Sequence, residues 1–427
     1  MKRIFILYRK IAVRLIRYYY QKRGRRGNAL MFIPHSGMSK TDLYDLFNYR
    51  SDSSLSFARY LLDNSLLKER EFIVFTPSKE DIVVSYDKAK TMFPDKKITF
   101  ISWDCFILDY TSIDCIKKAT LFSQCVARCS HIFTSITHRL QHFISDQIAV
   151  DLNYYAAPLK NDIIPRTDKY YLAYDLVGKE YDKLVMTSEV GIRMAMAFMR
   201  SMEKPQFADW GLCRNDNLFT NESFDNIKQT ILSSVSYPAN KIFLYTPTHR
   251  DYEEFVKDTS RSLLGYSMNL IDFHKFLKSE GIVIVAKIHP RQNEGIISHE
   301  LPESIIIHQP QHHYGLTELM IISDCLITDY TTVYYDYLLL DKPVIFNFYD
   351  SERYGRERGF SFSPIECITA GDIVRNPEEL KSAINNISVN YEQSKEKRKF
   401  VRDLIFAYQD GKTCSRVYDY YFGRIKE

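Results

Sequence analysis

Several motifs that announce common enzymes are missing from this chain. Its 427 residues contain no P-loop, no GxGxxG and no GxSxG, which argues against kinase, dinucleotide-dependent and serine-hydrolase chemistry. No run of about 18 apolar residues occurs, so no helix is expected to span a bilayer. No small-residue cleavage site follows the apolar start, so a cleaved leader is not expected. The eight cysteines (105, 115, 125, 129, 213, 325, 367 and 414) form no CxxC pair, and several fall inside apolar stretches. That favours reduced, buried thiols in the cytoplasm over a disulfide scaffold. His138 and His142 are four residues apart, but residue 139 is arginine and a third ligand is missing, so HExxH chemistry is excluded. Metal ligands are not predicted, no cofactor is indicated, and a divalent ion is left open.

Acidic residues are absent from positions 1–26, which carry ten Lys and Arg. Over the whole chain charged residues make up 26% and the net charge is only +4. The molecule is thus no polycation, and no nucleic-acid partner is expected. Within 1–26, Ile4, Leu7, Ile11, Leu15 and Tyr18 recur at helical spacing, widened by Phe5, Tyr8, Ala12, Ile16 and Tyr19. Arg9, Lys10, Arg14, Arg17 and the cluster 22–26 fill much of the remainder. A basic, aromatic-rich amphipathic helix is the pattern of an interfacial anchor, and the partner it predicts is an anionic membrane surface. A helix packed on the core with solvated charges, or an RNA-binding arm, is the alternative.

From residue 27 onward, short apolar runs alternate with helical patterns. In the first half the runs are 29–33, 72–75, 98–101, 131–136, 148–152 and 184–186; in the second, 242–245, 282–285, 304–307, 325–328 and 344–348. Such alternation predicts parallel sheets. The polar stretch RNDNLFTNESFDN at 214–226 reads as the linker. The fold class is α/β and GT-B-like: two doubly wound parallel-sheet domains facing a cleft, with a basic amphipathic N-terminal helix. The expected domains are 1–26 (membrane-associating helix), 27–222 (acceptor side) and 223–427 (donor binding, with a closing helix).

Two segments carry the function. SDCLITDYTTVYYDYLLLDKP at 323–343 reads as strand, turn, then helix, and IVIVAKIHP at 282–290 reads as a strand delivering His289. In open parallel sheets the ligand sits beyond the carboxyl ends of the strands, where helix N-termini bind phosphate. Thr331 and Thr332 at such a terminus, with His289 on a neighbouring strand end, make a pyrophosphate cradle suited to a nucleotide-activated donor. A simple N-cap is the bland reading. His308, His312 and His313 lie in a polar loop and read as surface.

Six ordered segments resemble the CDP-glycerol:poly(glycerophosphate) glycerophosphotransferase family of teichoic acid and capsule polymer synthesis. They are WGLCRND (210–216), LYTPTHRD (244–251), KIHP (287–290), SDCLITDYTTVYYDY (323–337), DKPVIFNFYDSERYGRERGF (341–360) and DGKTCSR (410–416). The resemblance implies transfer of glycerol phosphate or ribitol phosphate from CDP-glycerol or CDP-ribitol to a polymeric or lipid-linked hydroxyl, with release of CMP. It also implies a location on the inner face of the bacterial cell membrane, cytoplasmic and peripheral. Phosphoryl transfer is mostly positioning and charge stabilisation. On that basis His289 would neutralise charge on CMP, Arg250 would fork onto a phosphate, and Thr331 and Thr332 would stand for the family's paired serines. Asp329 would orient the turn or meet a ribose or polyol hydroxyl. Arg358 and Gly359 would close over the donor, with Asp350 and Tyr354 in the same loop and Arg353 and Arg356 at the surface. An ion pair with Asp251 is the alternative for Arg250.

The chain departs from the family pattern where catalysis is placed. The family's W-HGTP-LK segment aligns with residues 154–160, so Tyr155 stands at the histidine position. A phenol, with a reference pKa near 10, is a poor base at neutrality. His35 in FIPHSGMSKTD, with Asp42 and Asp45 close in sequence, is the substitute base. Other readings are a GT-B glycosyltransferase using a nucleotide sugar, as sialyltransferases do, or an inactive homologue that binds nucleotide or polymer.

Overall fold

The computed structural model describes residues 2–24, 27–34, 50–76, 80–105, 108–135, 146–153, 180–199, 201–248, 264–265, 268–288, 301–309, 312 and 314–423. These form two compact units. The first holds the described residues up to 219 and again from 410; the second holds those from 220 to 409.

In the first unit seven strands run β1 (Ala29–Ile33), β2 (Phe72–Thr76), β3 (Ile98–Ser102), β4 (Cys129–Thr134), β5 (Ile148–Asp151), β6 (Lys183–Val185) and β7 (Phe207–Ala208). Their order in the sheet is β3-β2-β1-β4-β5-β6-β7, all neighbours parallel. The central strands are apolar throughout because helices cover both faces of a parallel sheet. On one face Leu30, Phe32, Phe72 and Phe133 pack with Leu55, Phe57 and Leu61 of a helix at Ser53–Asp63. On the other, Met31, Ile33, Ile73 and Ile132 pack with Phe122, Cys125 and Val126 of the helix Asp114–Arg128. Each such side chain, fully buried, contributes about 2 kcal/mol of transfer free energy.

The basic N-terminal segment is a helix, α1 (Lys2–Arg23), and it has two faces. Val13 is fully buried against Cys115 and Ala119 of the helix Asp114–Arg128. Arg9 holds the same side, donating to the carbonyls of Tyr110 and Thr111. The apolar stripe read from the sequence points the other way: Leu7, Ile11, Leu15 and Tyr18 are exposed, with Tyr8 at 68% and Leu15 at 63%. No helix among the described residues is long and apolar enough to cross a membrane.

The second unit has six parallel strands: β8 (Lys241–Thr246), β9 (Ile282–Ala286), β10 (Ile305–Ile307), β11 (Cys325–Thr328), β12 (Val344–Asn347) and β13 (Asp372–Val374). Their order is β10-β9-β8-β11-β12-β13. Strand order therefore reverses between β8 and β11. Phe243, Ile284, Ile327 and Ile345 centre its core, with Phe273 and Leu277 of the helix Leu270–Ser279. Lys342, in the DKPVIF segment, donates to the carbonyls of Ile321 at 2.5 Å and Ser323 at 2.8 Å at the end of the helix Leu316–Ile322. Burial lowers its pKa to about 8.

Two family-like segments turn out to be a clasp. The closing helix, α2 (Thr413–Phe422), belongs to the first unit, although chain order placed it with the second. Asp216 accepts from the amides of Thr413 at 3.0 Å and Cys414 at 2.7 Å, so it caps a helix some 200 residues away. Arg416 donates to the Trp210 carbonyl at 3.3 Å, and Tyr421 donates to Asp182 at 2.7 Å. Gly211 has φ +103, and a Cβ there would lie 2.6 Å from Thr413 Oγ1. Only glycine fits. The predicted linker 214–226 is likewise corrected in its first half: Cys213–Phe219 is a 3-10 turn with Arg214 and Asn215 buried, because those residues carry the clasp. All eight cysteines are free, and seven are buried. Replacing Asp216 with Ala should lower unfolding free energy by about 1–2 kcal/mol, the usual worth of a helix cap; urea denaturation with an unchanged midpoint would refute the clasp.

Candidate functional site

The reversal between β8 and β11 is where a doubly wound sheet binds ligand. The strand ends there are tied by side chains. Thr328 Oγ1 donates to the Thr246 carbonyl at 2.9 Å. Asp329, 2% exposed, accepts at one oxygen from Thr248 N (2.8 Å), Thr248 Oγ1 (2.6 Å) and Tyr330 N (2.6 Å). Of the two roles expected for Asp329, this geometry serves the orienting one. Thr248 is a residue the sequence reading passed over, although it stands in the LYTPTHRD segment.

Thr331 and Thr332 follow at once, half-buried, and lead into a short helix at Val333–Leu338. Val333 N lies 3.4 Å from Thr331 Oγ1, while the Thr332 side chain makes no capping bond. Tyr330 is fully buried and joins this turn to the next loop. Its hydroxyl donates to Asp350 at 3.1 Å, and its ring stacks on Tyr354 at 4.2 Å and Phe348 at 5.0 Å. In that loop Arg358 ends the helix Ser351–Glu357, and Gly359 takes φ +79 as its left-handed stop. Both amides donate to the Tyr354 carbonyl, at 2.8 and 3.2 Å. The turn of Asp329, Thr331 and Thr332 is thus linked to Arg358 and Gly359 through two stacked tyrosines, Tyr330 and Tyr354. Arg356 is exposed, and Arg353 pairs with Glu357 at 2.9 Å.

His289, Arg250, His35 and Tyr155 lie outside the described residues, as do Asp42, Asp45, Asp251, His138, His142 and His313. Strand β9, which precedes His289, ends at Ala286, and β8, which precedes Arg250, ends at Thr246. In the first unit β1, which precedes His35, ends at the matching reversal between β1 and β4. There Asp52 accepts from Ser54 Oγ (2.8 Å), Ser135 Oγ (2.7 Å) and Leu55 N (3.0 Å). Among the described residues no group of three His, Cys, Asp or Glu is placed to hold a metal.

In the loop after β10 the surface reading is corrected for His308 alone: His312 is half-exposed and His313 lies outside the described residues. His308 is 6% exposed and its Nε2 lies 2.7 Å from the Tyr314 carbonyl. Lys287, the residue after β9, places Nζ 3.5 Å from His308 Nδ1. Polar composition alone hid these long-range partners.

A sequence profile of the CDP-Glycerol:Poly(glycerophosphate) glycerophosphotransferase family matches residues 128–423. The chain belongs to this family. It is similar to the teichoic acid poly(glycerol phosphate) polymerase of Staphylococcus epidermidis, 28% identical over 270 residues, covering 61% of this chain and 36% of the polymerase. It is also similar to the teichoic acid ribitol-phosphate primase of Bacillus spizizenii, 27% identical over 256 residues, covering 58% of this chain and 61% of the primase. The chain therefore spans between 36% and 61% of the length of those relatives. The wall teichoic acid polymerase TagF, in a variant soaked with CDPG, matches with a TM-score of 0.72 at 20% identity, over 98% of this chain and 96% of that one. That likeness shows the GT-B-like pair of parallel-sheet domains expected from the sequence.

After the paired threonines, the segment SDCLITDYTTVYYDY, which resembles the family's SSxxFDF stretch, carries Tyr335 and Tyr337 where that resemblance implies phenylalanines. Tyr337 finds Ser323 Oγ at 3.1 Å, whereas the fully buried Tyr335 hydroxyl has no hydrogen-bond partner among the described residues. Burial pushes its pKa well up. Neighbouring Tyr334 donates to the Ile368 carbonyl at 2.8 Å and accepts from Ala370 N at 3.0 Å. Tyr335→Phe should therefore leave stability unchanged or raise it, while Tyr334→Phe should cost about 1–3 kcal/mol by stranding two buried backbone groups. Thermal unfolding of the two variants decides, and a larger loss in Tyr335→Phe would overturn the assignment.

Proposed function

We propose that this protein transfers a polyol phosphate, glycerol phosphate or ribitol phosphate, from a CDP-activated donor to a hydroxyl of a cell-envelope polymer or lipid-linked acceptor. The acceptor oxygen forms a bond to the β-phosphorus, the bond from that phosphorus to the bridging oxygen breaks, and CMP leaves while the acceptor gives up its proton. The observation that carries the reading is the convergence of family segments on the β8–β11 reversal, where Thr248, Asp329, Tyr330 and Asp350 form one bonded chain. The relatives' names support both polyols, and the CDPG soak of TagF supports the donor class.

In this reading Thr331 and Thr332 offer hydroxyls to the pyrophosphate, His289 and Arg250 supply positive charge, and Arg358 with Gly359 borders the donor. Asp329 positions the turn. His35 takes the acceptor proton in place of the family's histidine, with Tyr155 as the rival base. The test is a donor panel of CDP-glycerol, CDP-ribitol, CMP-sialic acid and UDP-sugars, each with a lipid-linked acceptor. CMP release with the CDP-polyols alone is expected. Thr331 and Thr332 changed together to Val, or His289→Ala, should lower turnover at least ~100-fold, the scale of one lost charge-stabilising donor. Wild-type turnover in folded variants would remove those residues from the site.

The exposed face of α1 supports a place on the inner face of the cell membrane. Leu7, Ile11 and Leu15 project away from the docked side, flanked by Lys10 and Arg14. Changing those three apolar residues to Gln spares the buried Val13 contact. Co-sedimentation with anionic vesicles should then fall at least ~10-fold, and wild-type binding should weaken in high salt. Equal sedimentation of both proteins would rule the anchor out.

A further inference from the structure

Asp329 joins the exits of β8 and β11, and a second stitch holds the exit of β12. Asn347, the last residue of β12, is fully buried, and its Nδ2 donates to the Leu264 carbonyl at 2.8 Å. Leu264 is itself 1% exposed and lies in the core with Phe273 and Leu277, against which Tyr349 packs. Gly265 follows with φ +85, and a Cβ there would lie 2.4 Å from the Tyr349 ring. Only glycine lets the backbone press that closely against the ring. Leu264 and Gly265 lie further along the chain that leaves β8 through Thr248.

Both contacts bear on the Thr331–Thr332 turn through the residues beside them. Asn347 and Tyr349 meet Leu264 and Gly265, while Phe348, between them, turns the other way and stacks on Tyr330 at 5.0 Å. Asp350 comes next and accepts from the Tyr330 hydroxyl at 3.1 Å. The Tyr330 ring lies in turn on Tyr354, whose carbonyl receives the amides of Arg358 and Gly359. Asn347 therefore fixes the backbone from which Phe348 and Asp350 hold Tyr330. Its own amide is spent on Leu264, away from that tyrosine.

We propose that Asn347 is a positioning residue for the nucleotide donor: bonded to Leu264, it holds the strand exit that carries Phe348 and Asp350, and so sets Tyr330 and the turn that follows it. This rests on the CDP-donor reading above and adds a residue that acts on the donor site without touching the donor. Residues that bias a site in this way change affinity by ~2- to 30-fold. The effect falls on the KM for the donor rather than on kcat, because what shifts is the border of the donor and not the group that takes the acceptor proton.

Asn347→Leu tests it, being close in shape but unable to donate to the buried Leu264 carbonyl. With CDP-glycerol or CDP-ribitol, whichever the parent turns over, the full chain carrying this change should show a donor KM raised ~2- to 30-fold and kcat little changed. The control is Tyr237→Phe, which breaks a bond of the same kind at the opposite end of the sheet, where the Tyr237 hydroxyl donates at 2.6 Å to the carbonyl of Ile282, the first residue of β9. It should lower the urea midpoint by a similar amount and leave KM at the parent value. Asn347→Ser, one bond too short to reach Leu264, replaces Asn347→Leu if that variant does not fold, with the same expectation. A donor KM unchanged in the folded variant, or raised as much in Tyr237→Phe, would overturn the role of Asn347 while leaving the donor class standing. A parent that releases CMP from neither CDP-polyol would overturn the donor class itself, and this role with it.

Discussion

One carboxylate oxygen organises the second unit's functional end. Asp329 gathers three donors at Oδ1, two from the segment leaving β8 and one from its own turn. Buried as it is, the carboxylate joins two strand exits that the sheet alone leaves at separate loops. The Thr331–Thr332 turn inherits its position from that junction. Tyr330 then carries the order outward, through ring stacking and the Asp350 bond, to the loop that ends at Gly359. Loss of the junction would propagate along a chain of contacts rather than remove one.

The parallel sheets were legible because β1, β2 and β9 are buried along their whole length, and unbroken apolar runs are what such strands require. The Asp329 turn was legible through the same route, as a polar end to an apolar run. Facing was harder to read. In α1 the periodicity predicted a stripe, but which side docks depends on Val13 meeting Cys115 and Ala119, a contact between segments about 100 residues apart. The closing helix was misplaced for the same reason, since its cap, Asp216, comes from a segment the composition marked as linker. His308 read as surface because its Lys287 and Tyr314 partners are set by the neighbouring strand and the following turn.

Departures from the family pattern fall in two physical classes. Threonines in place of paired serines keep a hydroxyl at each position and add a methyl. Tyr335, by contrast, adds a hydroxyl that nothing among the described residues receives, beside Tyr334, whose hydroxyl is doubly bonded. The first kind preserves what a phosphate would meet. The second is a burden on folding with no counterpart among the contacts of the site.

The return of the closing helix gives the chain an unusual grammar. The second unit is spoken as a clause inside the first: the chain leaves at residue 219 and comes back at 410. A single cut in the segment between the sheets therefore yields no self-sufficient halves, because the amino-terminal piece loses the helix that Asp216 caps. Continuity of the first unit thus rests on that cap, a bond between residues some 200 apart, as well as on the backbone.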